Sequence, residues 1–163
     1  MLKQQIPAKN ASAKSTEEVL KGMYAEWMPK GVRLIEIPDV TDQRGSLCFM
    51  EGDNHIPFRI ERVFFLYNIP EGAQRGDHSH STCAEVVFAV HGAFTMKVDD
   101  GERSISIRID RPNVGILIPA GIWCQLLNFE QDTVCAVVAS ERFDATGYTY
   151  SYDEYIKNTR LND

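Results

Sequence analysis

The sequence lacks several features that mark specialised classes of protein. No apolar run approaches the roughly 18 residues of a membrane span, and the N-terminal stretch M-L-K-Q-Q-I-P-A-K-N has no apolar core of the signal-peptide kind. Internal repeats are absent, and the cysteines form no C-x-x-C pair that would indicate a zinc knuckle or a disulfide framework. We therefore expect a cytoplasmic protein. The four cysteines are widely spread: Cys48, Cys83, Cys124 and Cys135.

Excess positive charge is also missing. The formal net charge of -6 argues against general affinity for nucleic acid or for an anionic membrane, although a local group of arginines can still hold a small phosphorylated ligand. With 163 residues, 44% apolar and 25% charged, the chain has the length and composition of one folded domain that needs no disulfide or metal to hold its core.

The first 30 residues differ in pattern from the rest of the chain. Residues 1–14 are polar and rich in alanine, which predicts a flexible tail. Residues 15–30 predict one amphipathic helix that starts with a capping box of Ser15 and Glu18 and ends at Pro29. Its stripe, which we expect to pack on the domain or on a partner subunit, consists of apolar residues at every fourth position: Val19, Met23 and Trp27.

Residues 31–163 predict a single all-β domain. Short apolar runs bounded by Gly, Pro, Asp or Asn follow one another too closely for crossover helices, which favours an antiparallel jelly-roll sandwich or barrel. D-D-G at 99–101 is a strong hairpin signal. The runs are G-V-R-L-I-E-I, G-S-L-C-F-M-E, R-V-F-F-L-Y-N-I, E-V-V-F-A-V-H, A-F-T-M-K-V, S-I-S-I-R-I, V-G-I-L-I-P and T-V-C-A-V-V-A-S.

Three side chains that can act as bases or metal ligands cluster in G-A-Q-R-G-D-H-S-H-S-T-C-A-E, residues 72–85. On a strand, residues two apart point to the same face, so His78 and His80 lie side by side. Glu85 follows the next bend and can reach the same cavity from a neighbouring strand. Two histidines and a carboxylate fit a metal triad, and paired imidazoles fit proton transfer.

The spacing from Gly72 through His78, His80 and Glu85 to Gly92 resembles the first signature of the cupin superfamily. P-A-G-I-W-C-Q-L-L-N at 119–128 is similar to the second signature, with Cys124 where a histidine is usual. The resemblance implies a small double-stranded β-helix with its site in the mouth of the barrel. Typical cupins bind a metal there, so one alternative is a metal-dependent oxygenase or isomerase that uses His78, His80, Glu85 and Cys124.

Further motifs resemble the nucleotide-sugar 3,4-ketoisomerases within the cupins. They are R-G-S-L at 44–47, I-P-F-x-I-x-R-V at 56–63, R-G-x-H-x-H at 75–80, P-x-V-G-I-L-I-P at 112–119 and V-V-A-S-E-R-F-D at 137–144. The likeness covers roughly residues 32–157. It implies a cofactor-free homodimer, with N-terminal strands that can exchange between subunits, in the deoxysugar pathways of surface glycans and antibiotics.

For the reaction, the resemblance implies that His78 and His80 move the keto group of a nucleotide-linked 4-keto-6-deoxy sugar from C4 to C3, through an enediolate and without a metal. A neutral imidazole can take and return protons at neutral pH. Which of the two histidines is the base and which the acid stays open. A non-catalytic sugar-binding cupin is a third alternative, and the pattern of the related 3,5-epimerases is not found.

The sequence departs from the ketoisomerase pattern at three positions. Glu85 stands where the family usually has glutamine, Phe64 where it has tyrosine, and Cys124 where it has a basic or histidine side chain. Candidate contacts to the nucleotide sugar are Glu85, three arginines and a tryptophan. Arg75 is the first choice for a phosphate or sugar contact, while Arg44 and Arg62 lean towards structural roles and Trp123 towards the barrel wall.

Overall fold

Twelve short strands carry the fold of residues 12–161, the part of the chain that the computed structural model describes. The strands are β1 Arg33–Glu36, β2 Asp39–Asp42, β3 Gly45–Cys48, β4 Arg62–Leu66, β5 Arg75–His80, β6 Glu85–His91, β7 Phe94–Asp99, β8 Ser104–Ile109, β9 Val114–Ile118, β10 Trp123–Leu127, β11 Val134–Ala139 and β12 Tyr148–Thr149. The helices are α1 Thr16–Leu20 and α2 Tyr152–Leu161, with single 3₁₀ turns at Ala25–Trp27 and Ala145–Gly147.

Ten of these strands form two antiparallel sheets of five strands each. Their orders are β1-β9-β6-β11-β4 and β12-β5-β10-β7-β8, and β2 with β3 makes a separate hairpin. Neighbours in the sheets are mostly distant in sequence, which is the connectivity of a jelly roll and agrees with the predicted architecture. The hairpin predicted at D-D-G, residues 99–101, is present, because β7 and β8 form an antiparallel pair joined there.

The space between the two sheets is filled with aliphatic and aromatic side chains. Along β8 every second residue is buried in the inner core, as the sequence pattern requires, whereas β9 is buried on both of its faces. A second apolar layer lies on the outer face of the first sheet, under the segment that precedes β4. The largest side chains of the inner core have no solvent exposure: Phe94, Met96, Ile107, Ile109 and Ile116.

The N-terminal helix is shorter than predicted. The capping box of Ser15 and Glu18 is present, but α1 spans only five residues. Gly22, with φ of +75°, ends it in a Schellman motif: the Met23 N–H donates to the Glu18 carbonyl and the Gly22 N–H to the Val19 carbonyl. A continuous helix over residues 15–30 is therefore wrong, because this glycine turns the chain one turn after the start.

The predicted stripe is only partly buried. Val19 and Trp27 pack against the inner core, whereas Met23 is exposed. The predicted tail at residues 1–14 lies mostly outside the described residues; within them, Lys14 bridges to Ile107 of β8. The rest of the predicted division, with a single domain at 31–163, stays a prediction.

The C-terminal tyrosine-rich segment forms two elements, an edge strand and a helix. Tyr148–Thr149 is the edge strand β12, and α2 begins three residues later. Tyr155 buries its ring against Trp123, and its hydroxyl lies 2.8 Å from the Asp99 carbonyl oxygen and 2.9 Å from that of Gly121. None of the helices in residues 12–161 is long and apolar enough to cross a membrane.

Candidate active site

The two predicted histidines meet on β5. Their Nε2 atoms are 3.2 Å apart, and the ring planes are nearly perpendicular. At this distance one imidazole must donate an N–H to the lone pair of the other, so the pair holds one proton between its facing nitrogens. Both side chains are withdrawn from solvent, His80 more than His78. The sequence prediction that these rings lie side by side agrees with this geometry.

A β-bulge aims the histidines into the barrel. On β10, Cys124 pairs with His78 and Gln125 with Gly76, so Asp77 is the extra residue of β5. Because a shift of one residue reverses the face of every following side chain, the bulge decides where both imidazoles point. Gly76 has φ of +83°, and a Cβ there would lie 2.8 Å from the Cys124 carbonyl oxygen. This glycine is therefore required for the geometry of the site.

Glu85 reaches the histidines from the opposite sheet. It is the first residue of β6, and its Oε1 lies 3.3 Å from His80 Nε2. The same oxygen lies 3.4 Å from Nη2 of Arg62 on β4. The carboxylate thus has a guanidinium on one side and an imidazole on the other, all three largely buried. The sequence leaned towards a structural role for Arg62, but the structure brings it into the site.

The Arg62 guanidinium is held between aromatic rings. Its central carbon lies 5.3 Å from the ring centre of Phe64 and 5.7 Å from that of Phe143. Arg62 Nε is buried without a hydrogen-bond partner, the one such side-chain atom in residues 12–161. Unpaired buried donors are rare in native proteins, so this cation is not saturated by the protein groups around it.

Tyr148 covers the histidine pair. It is the register partner of His80, and its ring centre lies 4.3 Å from that of His80 and 5.1 Å from that of His78. Burial, the larger influence, raises the pKa of the Tyr148 hydroxyl, and a hydrogen bond with the Arg62 side chain lowers it. The charge of the Arg62 guanidinium therefore acts on this phenol.

Burial also sets the state of His78. Desolvation, the largest influence, lowers the pKa of its imidazole, and neighbouring His80 lowers it further. A hydrogen bond with the Gly76 backbone and the charges of Glu85 and Asp77 act in the opposite direction but do not outweigh burial. His78 is therefore neutral at pH 7 and keeps one unprotonated ring nitrogen, the state that a proton-abstracting base requires.

A cleft of about 150 Å³ opens beside this cluster. Arg62, His80 and Tyr148 form its inner wall, and the chain around the 3₁₀ turn at Ala145–Gly147 forms its rim. A bound molecule in the cleft can therefore contact an imidazole, a guanidinium and a phenol together.

The same three ligand types can be tested against a metal. One atom each of His78, His80 and Glu85 lies within 4.8 Å of the others, which fits a facial triad. The carboxylate oxygen, however, already faces the Arg62 guanidinium. Cys124 does not fit the predicted fourth position: it lies in the apolar core, and burial, the first cause, together with the charges of Glu85 and Asp77 raises the pKa of its thiol. Without a bound metal this thiol keeps its proton at neutral pH.

The remaining predicted residues lie away from the histidine pair. Arg75 is exposed at the start of β5, in a second cleft with Phe65. Arg44 is exposed at the turn of the β2–β3 hairpin and pairs with Asp42. Trp123 alternates with core-facing Cys124 and packs under α2, which accords with the expected wall role.

Sequence reasoning missed Tyr148 and Phe143 as individual residues. The run Y-T-Y-S-Y-D-E-Y-I at 148–156 has tyrosines at alternate positions, but a period of two does not say which of them faces the barrel. The register of β12 against β5 decides it, because Tyr148 lies opposite His80.

The chain is similar in sequence to known sugar isomerases. A family model described as "FdtA: WxcM-like, C-terminal" matches residues 30–160. The TDP-4-oxo-6-deoxy-alpha-D-glucose-3,4-oxoisomerase of Aneurinibacillus thermoaerophilus is 32% identical over 125 residues, which are 77% of this chain and 90% of that protein.

Solved structures give the same result. QdtA, a sugar 3,4-ketoisomerase from Thermoanaerobacterium thermosaccharolyticum in complex with TDP, matches with a TM-score of 0.80 at 31% identity, over 83% of this chain and 98% of that one. WlaRB, a TDP-quinovose 3,4-ketoisomerase from Campylobacter jejuni, matches with a TM-score of 0.76 at 29% identity, over 80% and 100% of the two chains.

The two facing sheets and the inward-pointing histidine pair define an enzyme of the cupin type, as predicted. The chain belongs to the FdtA and WxcM-like family. The prediction of an isomerase of the sugar 3,4-ketoisomerase class is thereby confirmed, while the metal-dependent alternative gains no support from these relatives.

Proposed function

We propose that this protein isomerises a TDP-linked 4-keto-6-deoxy sugar to its 3-keto isomer, with His78 and His80 as the proton-transfer groups and no metal. The observation that carries the proposal is the 3.2 Å contact between two imidazoles, set beside a cleft. The nucleotide and sugar follow from the relatives: one is named for TDP-4-oxo-6-deoxyglucose, and a point mutant of QdtA was solved in complex with TDP-4-keto-6-deoxyglucose.

The chemistry begins with removal of the proton on C3, which the neighbouring C4 ketone acidifies. We assign the base to His78, because burial keeps its imidazole neutral. His80 is the donor, since its Nε2 faces the Glu85 carboxylate and an N–H there has an acceptor. The proton taken from C3 is returned at C4, and the proton of the C3 hydroxyl moves to the C4 oxygen, so that each histidine ends in the protonation state in which it began. General acid-base groups of this kind contribute about 10²- to 10⁴-fold to a rate.

Charge stabilisation falls to Arg62. The enediolate formed after C3 deprotonation carries negative charge on an oxygen, and a fixed guanidinium in a water-poor site stabilises such charge. Arg62 has a buried Nε without a partner and lines the cleft. Glu85 holds this guanidinium and His80 in place. Contacts of Arg75, Arg44 and Trp123 with the nucleotide stay predictions, as does the cytoplasmic location.

We also propose a homodimer, which the family resemblance implies. β4 is the last strand of its sheet and exposes a row of apolar side chains at alternate positions, which is unusual for an edge left open to water. They are Val63, Phe65 and Tyr67. Light scattering after size-exclusion chromatography should give twice 18.4 kDa, and Phe65→Asp should shift the mass towards one chain.

A substrate panel tests the activity. The protein is incubated with TDP-4-keto-6-deoxyglucose, and proton NMR follows the 3-keto product; the UDP- and GDP-linked 4-keto-6-deoxy sugars run in parallel. We expect turnover of the TDP sugar and much slower turnover of the other two. Binding of the TDP sugar with no product in any sample would contradict the isomerase and favour the sugar-binding module.

A further inference from the structure

The end of β5 is held from both of its sides. On the β12 side, His80 is the register partner of Tyr148. On the β10 side, the register pairs of β5 end at His78, two residues earlier. Beyond that pair, the His80 carbonyl oxygen accepts a hydrogen bond of 2.7 Å from the Gly121 N–H. The turn at residues 120–121 therefore helps to fix the backbone of His80, whose side chain lines the cleft.

Gly121 does not fix this turn by its own packing. Its φ is +80°, and apart from its chain neighbours no heavy atom lies within 4 Å of the place that a Cβ would take. A glycine in open space rotates its two peptide groups easily, because it has no side chain to restrain them. The direction of its N–H towards His80 must therefore depend on what holds its carbonyl.

Tyr155 of α2 holds that carbonyl. Its hydroxyl lies 2.9 Å from the Gly121 carbonyl oxygen and 2.8 Å from the carbonyl oxygen of Asp99 on β7. The tyrosine is buried, and its ring packs on that of Trp123. Burial, the largest cause, raises the pKa of the phenol, so it keeps its proton and stays a donor. The two hydrogen bonds of Gly121 thus link a helix side chain to the backbone of His80.

Resting on the proposed function, we infer that Tyr155 is a positioning residue that acts through Gly121 to set where the His80 imidazole lies against the sugar. Rates depend strongly on such placement, because an error of about 1 Å in the position of a reacting group can cost about 100-fold. This dependence holds whichever proton the imidazole moves. Tyr155 lies outside the lining of the cleft, so its effect on the reaction must pass through another residue.

Tyr152 provides a matched control. It belongs to the same helix, its hydroxyl donates to the Asp99 carboxylate at 2.9 Å, and its ring contacts that of Trp123. Tyr152→Phe and Tyr155→Phe each remove one phenol oxygen beside Asp99. Of the two changes, only Tyr155→Phe removes a partner of Gly121.

The first measurement is steady-state kinetics at 25 °C with TDP-4-keto-6-deoxyglucose, with the 3-keto product followed by proton NMR. For Tyr155→Phe we expect kcat to fall about tenfold while KM stays within about twofold, because the sugar still binds but His80 is misplaced. For Tyr152→Phe both values should stay within about threefold. Circular dichroism should show both variants folded at 25 °C. An unfolded Tyr155→Phe would assign the hydroxyl to stability and contradict the inference.

A double mutant tests whether Tyr155 acts through His80. In the His80→Asn background, Tyr155→Phe should change the residual rate by less than about twofold, since the imidazole that it positions is gone. Equal losses in both backgrounds would mean that the hydroxyl acts on the fold as a whole, and the positioning role would be wrong.

A measurement without substrate separates the inference from the function on which it rests. In protein labelled with ¹⁵N-histidine, the ring signals of His80, assigned by their loss in His80→Asn, should shift in Tyr155→Phe and stay in place in Tyr152→Phe. Unmoved His80 signals, or a kcat near that of wild type, in Tyr155→Phe would overturn the inference and leave the isomerase intact. A wild-type protein that forms no product would instead overturn the proposed function, and the expected loss of kcat with it.

Discussion

Two buried carboxylates in residues 12–161, Asp99 and Glu85, lie near tyrosines but differ in how tightly their partners hold them. Asp99 accepts a hydrogen bond from Tyr152 at 2.9 Å and one from the Gly101 N–H at 2.7 Å, so both of its oxygens have close donors. Glu85 has contacts of 3.3 and 3.4 Å, at the long limit of hydrogen bonding, with His80 and Arg62.

The difference separates a structural carboxylate from a functional one. Asp99 anchors α2 to the β7–β8 hairpin, and its partners point at it and at nothing else. Burial and the Asp99 carboxylate raise the pKa of Tyr152 to about 12, so the donor keeps its proton. Around Glu85, the side chains of His80, Arg62 and Tyr148 all line a cleft, so they can still form hydrogen bonds with a bound ligand. The short hydrogen bonds of Asp99 stabilise the fold, whereas the longer contacts of Glu85 leave its partners available to a ligand.

The largest expected effect is on the rate of isomerisation, when a histidine near Glu85 is replaced. His80→Asn and His78→Asn should each reduce the rate of 3-keto product formation by about 10²- to 10⁴-fold, because each removes a proton-transfer group. NMR of the product measures this. Tyr152→Phe, the matched change at the Asp99 carboxylate, should leave the rate within threefold. A histidine variant that keeps the wild-type rate would contradict a functional role for the surroundings of Glu85 as opposed to those of Asp99.

Substitution of Asp99 should lower the stability of the fold. Asp99→Ala leaves the Tyr152 hydroxyl and the Gly101 N–H without their acceptor, which we expect to cost about 2 to 3 kcal/mol in the free energy of unfolding. Thermal denaturation should show a Tm lower by about 5 to 10 °C. The rate at 25 °C should stay near wild type. A slow but fully stable Asp99→Ala variant would mean that this carboxylate also serves the reaction.

A smaller effect appears in the pH profile. Because burial lowers the pKa of His78, the acid limb of kcat/KM should have its midpoint below the ordinary value of about 6.5. Glu85→Gln removes a charge that raises this pKa, so the midpoint should move lower still. Below about pH 6.5 the unfolded chain binds more protons at His78 than the folded chain does. The free energy of unfolding should therefore decrease as the pH is lowered through this range. A midpoint above 6.5 would contradict His78 as the buried base.

The smallest effect is expected at Cys124. This thiol belongs to the apolar core, so Cys124→Ala should cost about 1 kcal/mol of stability and leave the rate within threefold. Metal analysis of the untagged protein before and after the change should show no difference. Loss of both metal and activity in Cys124→Ala would revive the four-ligand alternative and join Cys124 to the Glu85 side.

The sequence predicted the parts of this account that depend on local pattern. Alternating apolar runs indicated the antiparallel sheets, and the spacing of His78, His80 and Glu85 indicated one cavity. The capping box marked the start of α1. These signals lie within a few residues of one another and do not depend on how distant segments pack.

What the sequence did not predict depends on distant contacts. Arg62 meets Glu85 only because β4 and β6 both flank β11, and Tyr148 meets His80 only through the pairing of β12 with β5. The end of α1 was not predicted, because the apolar stripe continues in the sequence beyond Gly22, where the helix ends. Asp77, the extra residue of the bulge, also has no local signature.

The most direct test of the metal-free histidine pair is deuterium entry into TDP-4-keto-6-deoxyglucose in D₂O, followed by NMR, with EDTA-treated and metal-supplemented protein side by side. The account predicts deuterium entry and a 3-keto product in the EDTA-treated sample, at the same rate as with added metal. Reaction only in the metal-supplemented sample would contradict it, since His78, His80 and Glu85 would then act as ligands.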